Sequence, residues 1–382
     1  MVPAASFCRG ATLTRPGKPF APPPRRVRCR ARSTGEGNVW NHFLDEAQDA
    51  ICAELEALDG SDALFARHPW TRGGFSSDTS ATRGEGAARV LEGGRVIEKG
   101  AVNVTRTTGE MSAERAAAMA SRGRDLGLGS GSVYEPLRYE AAALSLVIHP
   151  ASPHVPTLRG DVRRFTVVDS RGGRKSWLGG GCDLTPIYYD PADIRAFHAH
   201  WRAVCDRHAS DRLDCGYPRL KSWCDDYFYL PSRGERRGTG GVFFDDLATA
   251  AEGERESGAL DPAEAFARDV CLSIPASWTA LARRRSALPV TTRQRDFQLE
   301  RRARYVEFNL LHDRGVRRAR IDIERSKEKE IERRRGGHRA VPLHRRHDER
   351  ERRPAARGET PSPSPLSFLT LSFLPGLLAG LG

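Results

Sequence analysis

The sequence predicts an α+β fold in which helices cover both faces of one large antiparallel sheet, within a single domain. Strand-like segments outnumber helix-like segments, and most of them follow one another directly along the chain. That order favours antiparallel pairing between neighbours. The chain also lacks a Walker loop and the Gly-rich fingerprint of dinucleotide-binding folds, so nothing in it indicates an alternating β-α-β architecture.

The first part of the chain supplies a helix, a loop and a hairpin. A helix is predicted over 39–70, because apolar residues recur at helical spacing from Phe43 to Leu58. A loop rich in Gly, Ser and Thr follows at 71–88. Two short apolar runs on either side of a Gly-Gly pair predict a hairpin at 89–107.

The remaining elements follow in order along the chain. Helices are predicted to begin in 112–126 and to occupy 191–210 and 262–285, the last interrupted at Pro275. A flexible insertion is predicted at 127–136. Strands are predicted from β-favouring, apolar composition at 140–150, 163–169, 178–189, 223–230, 240–247 and 302–315.

Residues 216–247 combine two acidic pairs with many aromatic residues. The pairs are Asp225–Asp226 and Asp245–Asp246, and a basic, Gly-rich run lies between them. Carboxylates among aromatic side chains are costly to bury unless they meet a cation or a hydrogen-bond donor. The nearest cations are Arg233, Arg236 and Arg237. The alternative is a hairpin whose aspartates cap turns.

The charge distribution argues against a nucleic-acid-binding protein. The 382-residue chain has a net charge of +12. Residues 1–40 contain eight Lys or Arg residues and one acid, and residues 317–357 contain sixteen Lys or Arg residues and eight acids. The rest of the chain is therefore slightly acidic, and the basic character belongs to the ends. The eight cysteines include no CxxC pair, which argues against a zinc ribbon.

The two ends differ from the body of the protein. Residues 1–38 are rich in Arg, Pro, Ala, Ser and Thr, which is typical of an organelle transit peptide, with a disordered basic tail as the alternative. Residues 316–382 form a densely charged segment and then a 17-residue apolar stretch containing Pro375. That stretch is shorter than the ~20 residues of a membrane span, so no stable span is predicted. The domain is therefore placed at 39–315.

Four segments, in order, resemble the oxygen-dependent coproporphyrinogen III oxidase family. They are SLVIHPASPHVPT (145–157), WLGGGCDLTPIYY (177–189), the stretch at 216–247, and RYVEFNLLHDRG (304–315). The resemblance implies oxidative decarboxylation of two substrate propionates to vinyl groups with O₂ as co-substrate and no bound cofactor. It also implies a homodimer and a plastid location. After Gly315 the family continues with a Gly-Gly-Arg loop and closing helices, which are not recognisable here.

The resemblance also implies roles for individual residues. Ser145 corresponds to a serine that contacts substrate, and Asp161 and Arg163 fall where the family has an Asn-x-Arg that contacts substrate. Arg163 is the leading candidate for binding a propionate, because a guanidinium pairs with a carboxylate through two hydrogen bonds. Asp183 corresponds to an acid at the ring centre. From the residues alone, a surface arginine and a turn-capping aspartate remain the alternatives.

Two further implied residues come from the HDRG sequence, in which Asp313 and Arg314 correspond to the family's pyrrole-binding acid and its neighbouring arginine. From spacing alone, a turn that ends a strand is the alternative. Arg159 stands at the family's proton-donor histidine. Arginine stays protonated near neutral pH and is a poor general acid, and Asp161 would repel a propionate if it were ionised.

The histidine pattern of the family is only half present. His149 and His198 match two of four family histidines, and Arg159 and Ser232 occupy the other two positions. No metal site is therefore predicted. These departures and the altered C-terminal segment leave a second hypothesis open, a relative that keeps the fold and binds tetrapyrroles without turning them over. A nucleic-acid-binding protein is the third and least supported hypothesis.

Overall fold

The computed structural model describes most of the chain. It covers residues 36–72, 82–111, 113–121, 126, 137–169, 172–210, 213–250 and 260–311. The α-helices in these segments are α1 (Glu36–Asp59), α2 (Ala113–Ala120), α3 (Pro191–Asp206), α4 (Tyr217–Tyr227), α5 (Pro262–Ser273), α6 (Ala276–Arg285) and α7 (Thr292–Leu311). The strands are β1 (Ala66–Arg72), β2 (Arg83–Glu92), β3 (Ile97–Met111), β4 (Leu137–Pro150), β5 (Thr157–Val168), β6 (Arg174–Thr185), β7 (Tyr229–Leu230), β8 (Glu235–Arg236) and β9 (Gly240–Ala248).

Seven of these strands form one large sheet. Their spatial order is β1-β2-β3-β4-β5-β6-β9, and every neighbouring pair is antiparallel. The hairpin predicted at 89–107 is the β2–β3 connection. Strands β7 and β8 form a separate two-stranded hairpin. The predicted α+β fold with a large antiparallel sheet is confirmed.

Helices lie on both faces of this sheet. On the first face, α1, α3, α5 and α6 pack against strand residues such as Leu144 and Leu158 to form the main hydrophobic core. The largest fully buried side chains of that core are Trp40, Trp201, Trp278, Phe197, Phe244 and Phe266. On the second face, Met119 of α2 packs beside Tyr139 and Phe165 at one end. At the other end, Tyr305 of α7 packs edge-on to His149.

Two helices begin where their sequences predict a start. Asp190 caps α3 and Asp261 caps α5, each accepting hydrogen bonds from two backbone N–H groups of the first turn. A proline follows each cap at the first helical position, where a missing N–H costs nothing. Pro275 separates α5 from α6, as the interrupted pattern predicts.

Two predicted strands are helices in the structure. Residues 223–230 belong mostly to α4, whose start is marked by Pro218 and whose buried residues Leu220 and Cys224 lie four apart. The prediction at 302–315 is also wrong for its described part, because α7 continues to Leu311. In both cases aromatic composition suggested a strand, whereas the spacing of the buried residues is that of one helix face.

Other boundaries differ by several residues. The first helix ends at Asp59, and β1 occupies the end of the predicted helix. Strand β2 begins inside the predicted loop at 71–88. The predicted transit peptide, the insertion at 127–136 and the tail after Gly315 lie wholly or largely outside the described residues. No helix within the described ranges is long and apolar enough to cross a membrane.

Candidate active site

The second face of the sheet carries a row of buried polar side chains at its centre. Asn103, Ser145 and Asp161 are paired across β3, β4 and β5, and each is at least nine-tenths buried. Side chains two residues apart on a strand share a face. Arg159 and Arg163 therefore flank Asp161 on this same face, and the three form a charged segment of β5.

Small residues surround this polar row. Ala101 and Ala143 lie beside it on β3 and β4, and Gly179 and Gly181 lie beside it on β6. A Cβ atom at Gly179 would come within 2.6 Å of the Asp245 carboxylate and 2.8 Å of Arg163 Nε. The lack of a side chain at Gly179 thus lets the Arg163 guanidinium and the Asp245 carboxylate lie directly on the sheet backbone.

Two aspartates hold the Arg163 guanidinium. Its Nη1 atom donates a hydrogen bond to Asp161 Oδ2 at 2.5 Å, and its Nη2 atom lies 3.4 Å from Asp245 Oδ1. The guanidinium also lies over the Phe243 ring, 5.6 Å from its centroid. Burial alone lowers the pKa of Arg163, but the Asp245 and Asp161 carboxylates outweigh burial and raise the pKa above its usual range. Arg163 is therefore a permanently charged group in a fixed position.

A β-bulge in β9 places Asp245. The register with β6 shifts so that Asp245 and Asp246 both lie between the pairs formed by Phe244 and Leu247. Asp246 has a φ of 62°, in the left-handed region that non-glycine residues rarely adopt. Such bulges bend a strand and redirect side chains. Here the bulge allows Phe244 and Leu247 to enter the main core while Asp245 faces Arg163.

Arg159 stands on the other side of Asp161. Its Nη1 atom is 3.7 Å from Asp161 Oδ1, and about a fifth of its side chain, 21%, is exposed. Its guanidinium carbon lies 5.8 Å from the centroid of the Phe228 ring. Asp161 is thus flanked by two guanidinium groups, which offset the repulsion that an ionised Asp161 would exert on a propionate.

Asp183 forms a buried ion pair that the sequence did not predict. Both of its carboxylate oxygens accept hydrogen bonds from Arg237 Nη2, at 2.6 and 2.7 Å. Arg237 Nη1 donates to Asn309 Oδ1 of α7 at 3.1 Å. The Arg237 guanidinium lies 3.8–4.9 Å from the centroids of three rings, those of Phe228, Tyr305 and Phe308. The pair therefore joins β6 to α7.

A second set of polar contacts attaches the other end of α7. Glu98 accepts hydrogen bonds from Arg295 at 2.7 Å and from Arg302 at 2.8 Å. Burial raises the pKa of Glu98, but these two arginines outweigh it and lower the pKa below its usual range. Gln298 donates to the Pro150 carbonyl at 3.0 Å. Helix α7 is thereby held against the end of the sheet that carries Arg159 and Asp183.

The two histidines that match the family pattern lie in different environments. Burial, with a smaller contribution from Arg302, lowers the pKa of His149 to about 4, so its imidazole is neutral at neutral pH. His198 Nδ1 is 2.7 Å from the Tyr217 hydroxyl on α4. Ser232 is exposed in the β7–β8 turn. Within the described residues, no three His, Cys, Asp or Glu side chains are placed to hold a metal ion.

The structure therefore brings five of the predicted site residues to one face: Ser145, Arg159, Asp161, Arg163 and Asp183. Asp313 and Arg314 lie outside the described residues. Sequence reasoning did not assign roles to Asn103, Arg237 or Asp245. The signal for Asn103 was a polar, strand-disfavoured residue between Val102 and Val104.

Comparisons with known proteins give one consistent result. The sequence profile of the family described as "Coproporphyrinogen III oxidase" matches residues 39–325, a range that includes Asp313 and Arg314. The chain is 35% identical over 329 residues to the human protein named "Oxygen-dependent coproporphyrinogen-III oxidase, mitochondrial", with 83% of this chain and 67% of the relative covered.

Plant and rodent relatives match similarly. The soybean (Glycine max) protein named "Oxygen-dependent coproporphyrinogen-III oxidase, chloroplastic" is 39% identical over 288 residues, covering 74% of this chain and 68% of the relative. The mitochondrial protein of Rattus norvegicus is 38% identical over 275 residues, covering 72% of this chain and 56% of the relative.

Proposed function

Because the chain belongs to the coproporphyrinogen III oxidase family, we propose that it is an oxygen-dependent coproporphyrinogen III oxidase. In each of two steps a propionate side chain loses its carboxylate as CO₂ and a hydride equivalent from the methylene carbon bonded to the pyrrole ring, which leaves a vinyl group. One O₂ and one proton take up the hydride and form H₂O₂. Two such steps give protoporphyrinogen IX. The observation that carries the proposal is the family match over 39–325 together with a buried arginine-aspartate site on the second face of the sheet.

Arg163 is the residue we assign to binding a substrate propionate. Its charge is fixed by Asp161 and Asp245, and its position is fixed by the Phe243 ring and the Gly179 backbone. Its Nε atom is buried and has no hydrogen-bond partner among the described residues. A guanidinium held in this way loses little conformational entropy when a carboxylate binds.

Acidic side chains would stabilise the electron-rich ring while it is oxidised. As the ring loses electrons it gains positive charge, which nearby carboxylates stabilise in a site that excludes water. We assign this role to Asp313, with Arg314 beside it, and to Asp183, following the family resemblance. In the structure Asp183 is paired with Arg237, so it acts on the ring as part of a buried ion pair.

Arg159 is assigned a role in charge balance. Its guanidinium keeps its proton near neutral pH and makes a poor acid. It lies next to Asp161, at the end of the polar row nearest Asp183. It can therefore bind a substrate carboxylate or hold the Asp161 carboxylate, while the proton for H₂O₂ formation comes from another group or from solvent.

Three further assignments belong to this proposal. The reaction uses no bound cofactor, with the substrate itself reducing O₂; full activity after dialysis against a chelator and removal of flavin would support this. The chain works as a homodimer, which sedimentation of the purified protein would test. It resides in the plastid stroma, as the name of the soybean relative suggests, although mitochondrial relatives match equally well. Import of the labelled chain into isolated chloroplasts and mitochondria would separate the two.

The test of the activity is product formation by the purified full chain. Coproporphyrinogen III is supplied with and without O₂, and the products are oxidised to porphyrins and resolved by chromatography. The proposal predicts protoporphyrin only in the aerobic reaction. Folded protein that binds the tetrapyrrole without converting it would instead support a non-catalytic relative.

A further inference from the structure

The central polar row contains two oxygen atoms for which the described part of the chain supplies no hydrogen-bond partner. These are Asn103 Oδ1 and Ser145 Oγ, which face each other across β3 and β4. The two residues are only 8% and 5% exposed. Buried polar atoms in folded proteins nearly always have partners, because leaving one unpaired costs free energy. Two such atoms on neighbouring strands indicate a place where a ligand completes the hydrogen bonds.

The chemistry of Asn103 restricts what that ligand presents. An amide oxygen only accepts hydrogen bonds. A propionate carboxylate has no proton to donate at neutral pH, and O₂ has none at all. A porphyrinogen carries four pyrrole N–H groups at its centre, which are donors. The oxygen of Asn103 therefore matches the centre of the tetrapyrrole and does not match its carboxylate edge.

The position of Asn103 relative to Arg163 agrees with this assignment. Asn103 lies two strands from Arg163 and one row along the sheet. That separation is roughly 9.5 Å across the strands and roughly 6.6 Å along them. An acceptor for the ring nitrogens and a cation for a propionate are thus spaced on the scale of a tetrapyrrole and its side chain.

Small apolar side chains surround the row. Asn103 pairs with Ala88 on its other side, and the next residue on its own face toward the start of β3 is Ala101. These alanines and Val90 form a small apolar cluster beside the row. A ring lying flat on this face of the sheet would meet apolar carbon around its edge and hydrogen-bond acceptors beneath its centre.

We propose that Asn103 is a substrate-positioning residue whose amide oxygen, beside the Ser145 hydroxyl, accepts hydrogen bonds from pyrrole N–H groups of the porphyrinogen. This inference rests on the proposed function and adds to it the orientation of the substrate. The ring centre then lies over β3 and β4, a propionate extends over β5 to Arg163, and Asp183 on β6 acts on the ring from its edge and not from its centre. Asn103 makes this contact before and during the reaction alike, so it lowers KM and has little influence on kcat.

The test uses the full chain and three variants. Asn103→Leu removes the acceptor at nearly constant volume, and Asn103→Asp keeps an oxygen at the same place. Thr107→Val is the matched control, because Thr107 Oγ1 is also buried without a described partner on the same strand and face. It lies four residues from Asn103, roughly 13 Å along the strand. Binding is followed without O₂ by quenching of tryptophan fluorescence.

Two probes separate ring contacts from propionate contacts. Coproporphyrinogen III has pyrrole N–H groups, whereas zinc coproporphyrin III keeps the propionates and has none. Asn103→Leu should raise the Kd of the porphyrinogen about tenfold and change that of the zinc porphyrin less than twofold. Asn103→Asp should restore porphyrinogen binding to within threefold, and Thr107→Val should affect neither probe. In aerobic turnover, Asn103→Leu should raise KM by a similar factor at nearly constant kcat.

Stability distinguishes this role from a structural one. Because the Asn103 oxygen has no hydrogen-bond partner among the described residues, its removal should leave the melting temperature unchanged or raise it. A lower melting temperature, wild-type affinity of Asn103→Leu for the porphyrinogen, or an equal loss for both probes would each overturn the inference. If wild-type protein turns the substrate over while Asn103→Leu behaves identically, only the inference fails. If wild-type protein neither binds nor converts the porphyrinogen, the proposed function fails and the inference with it.

Discussion

The buried pair of Asp183 and Arg237 yields a quantitative prediction about how α7 is held on the sheet. Arg237→Met would leave the Asp183 carboxylate, whose side chain is only 4% exposed, without its cation. Removing one partner of a buried ion pair typically costs about 3–5 kcal/mol, because the remaining charge stays desolvated. Domains of this kind are stable by only about 5–15 kcal/mol, so the loss is a large fraction of the total.

The expected measurement is a shift in urea unfolding. With a denaturant dependence of about 1–3 kcal/mol per molar, a loss of this size moves the midpoint down by at least about 1 M. Asp183→Leu should also destabilise the fold, because it leaves the Arg237 guanidinium buried without an anion. The free energy of unfolding of the double variant should fall no further than that of either single variant, since the two apolar replacements remove both charges together.

Arg236→Met supplies the control for this experiment. Arg236 is half exposed and lies 4.0 Å from Asp225, and exposed pairs contribute about 0–1 kcal/mol. Its midpoint should stay close to that of the wild-type protein. If Arg237→Met also unfolds near the wild-type midpoint, or if the two single losses simply add in the double variant, then the pair does not hold α7 in the way described.

Three other predictions concern the site and its surroundings. The pKa of about 4 for His149 lies below its unfolded value of 6.5, so the neutral imidazole contributes stability above pH 6.5 that is lost as pH falls toward 4. Between pH 7 and 4.5, the free energy of unfolding measured in urea should therefore fall by about 2 kcal/mol less in His149→Leu than in the wild-type protein. Arg163→Lys should raise KM for coproporphyrinogen III about tenfold, because a point charge replaces a two-donor fork; an unchanged KM would contradict the propionate assignment. Gly179→Ala should push the Asp245 carboxylate away from Arg163 and raise KM, as initial rates across substrate concentration would show, with kcat less affected.

The sheet was predictable from sequence because its strands are long and their composition is consistent. From β2 to β6 the strands follow one another in sequence, and each pairs with the next. Hydrophobic side chains such as Leu144 and Leu158 alternate with residues of the opposite face. In this region the strand propensity of the residues and their tertiary packing favour the same structure, so the hydrophobic pattern predicts the correct architecture.

The elements that cover the site were harder to predict. Tyr305 and Phe308 favour strands by composition, yet both point from one side of α7 toward Arg237. The decisive interaction is therefore a contact with a residue about 70 positions away, which no local window contains. Helix α4 is likewise fixed by tertiary contacts that its own sequence does not show. Leu220 packs into the main core, and Trp223 packs on Phe243.

The site could be predicted where residues follow a family pattern and not where geometry alone assembles it. Arg163 and Asp161 were assigned from their motif and do lie together. Asp245 reaches Arg163 only because of the β9 bulge, and the register that sets Asn103 beside Ser145 depends on the whole β3–β4 pairing. Neither feature leaves a recognisable signature in a short stretch of sequence.

The most direct test of the oxidase activity is the stoichiometry of turnover by the purified full chain. Oxygen uptake, CO₂ release and tetrapyrrole products are measured in one sealed reaction with coproporphyrinogen III. An oxygen-dependent oxidase should consume two O₂ and release two CO₂ for each protoporphyrinogen IX formed, with no conversion when O₂ is removed. Conversion that continues without O₂, or folded protein that releases no CO₂ in air, would rule out an oxygen-dependent oxidase.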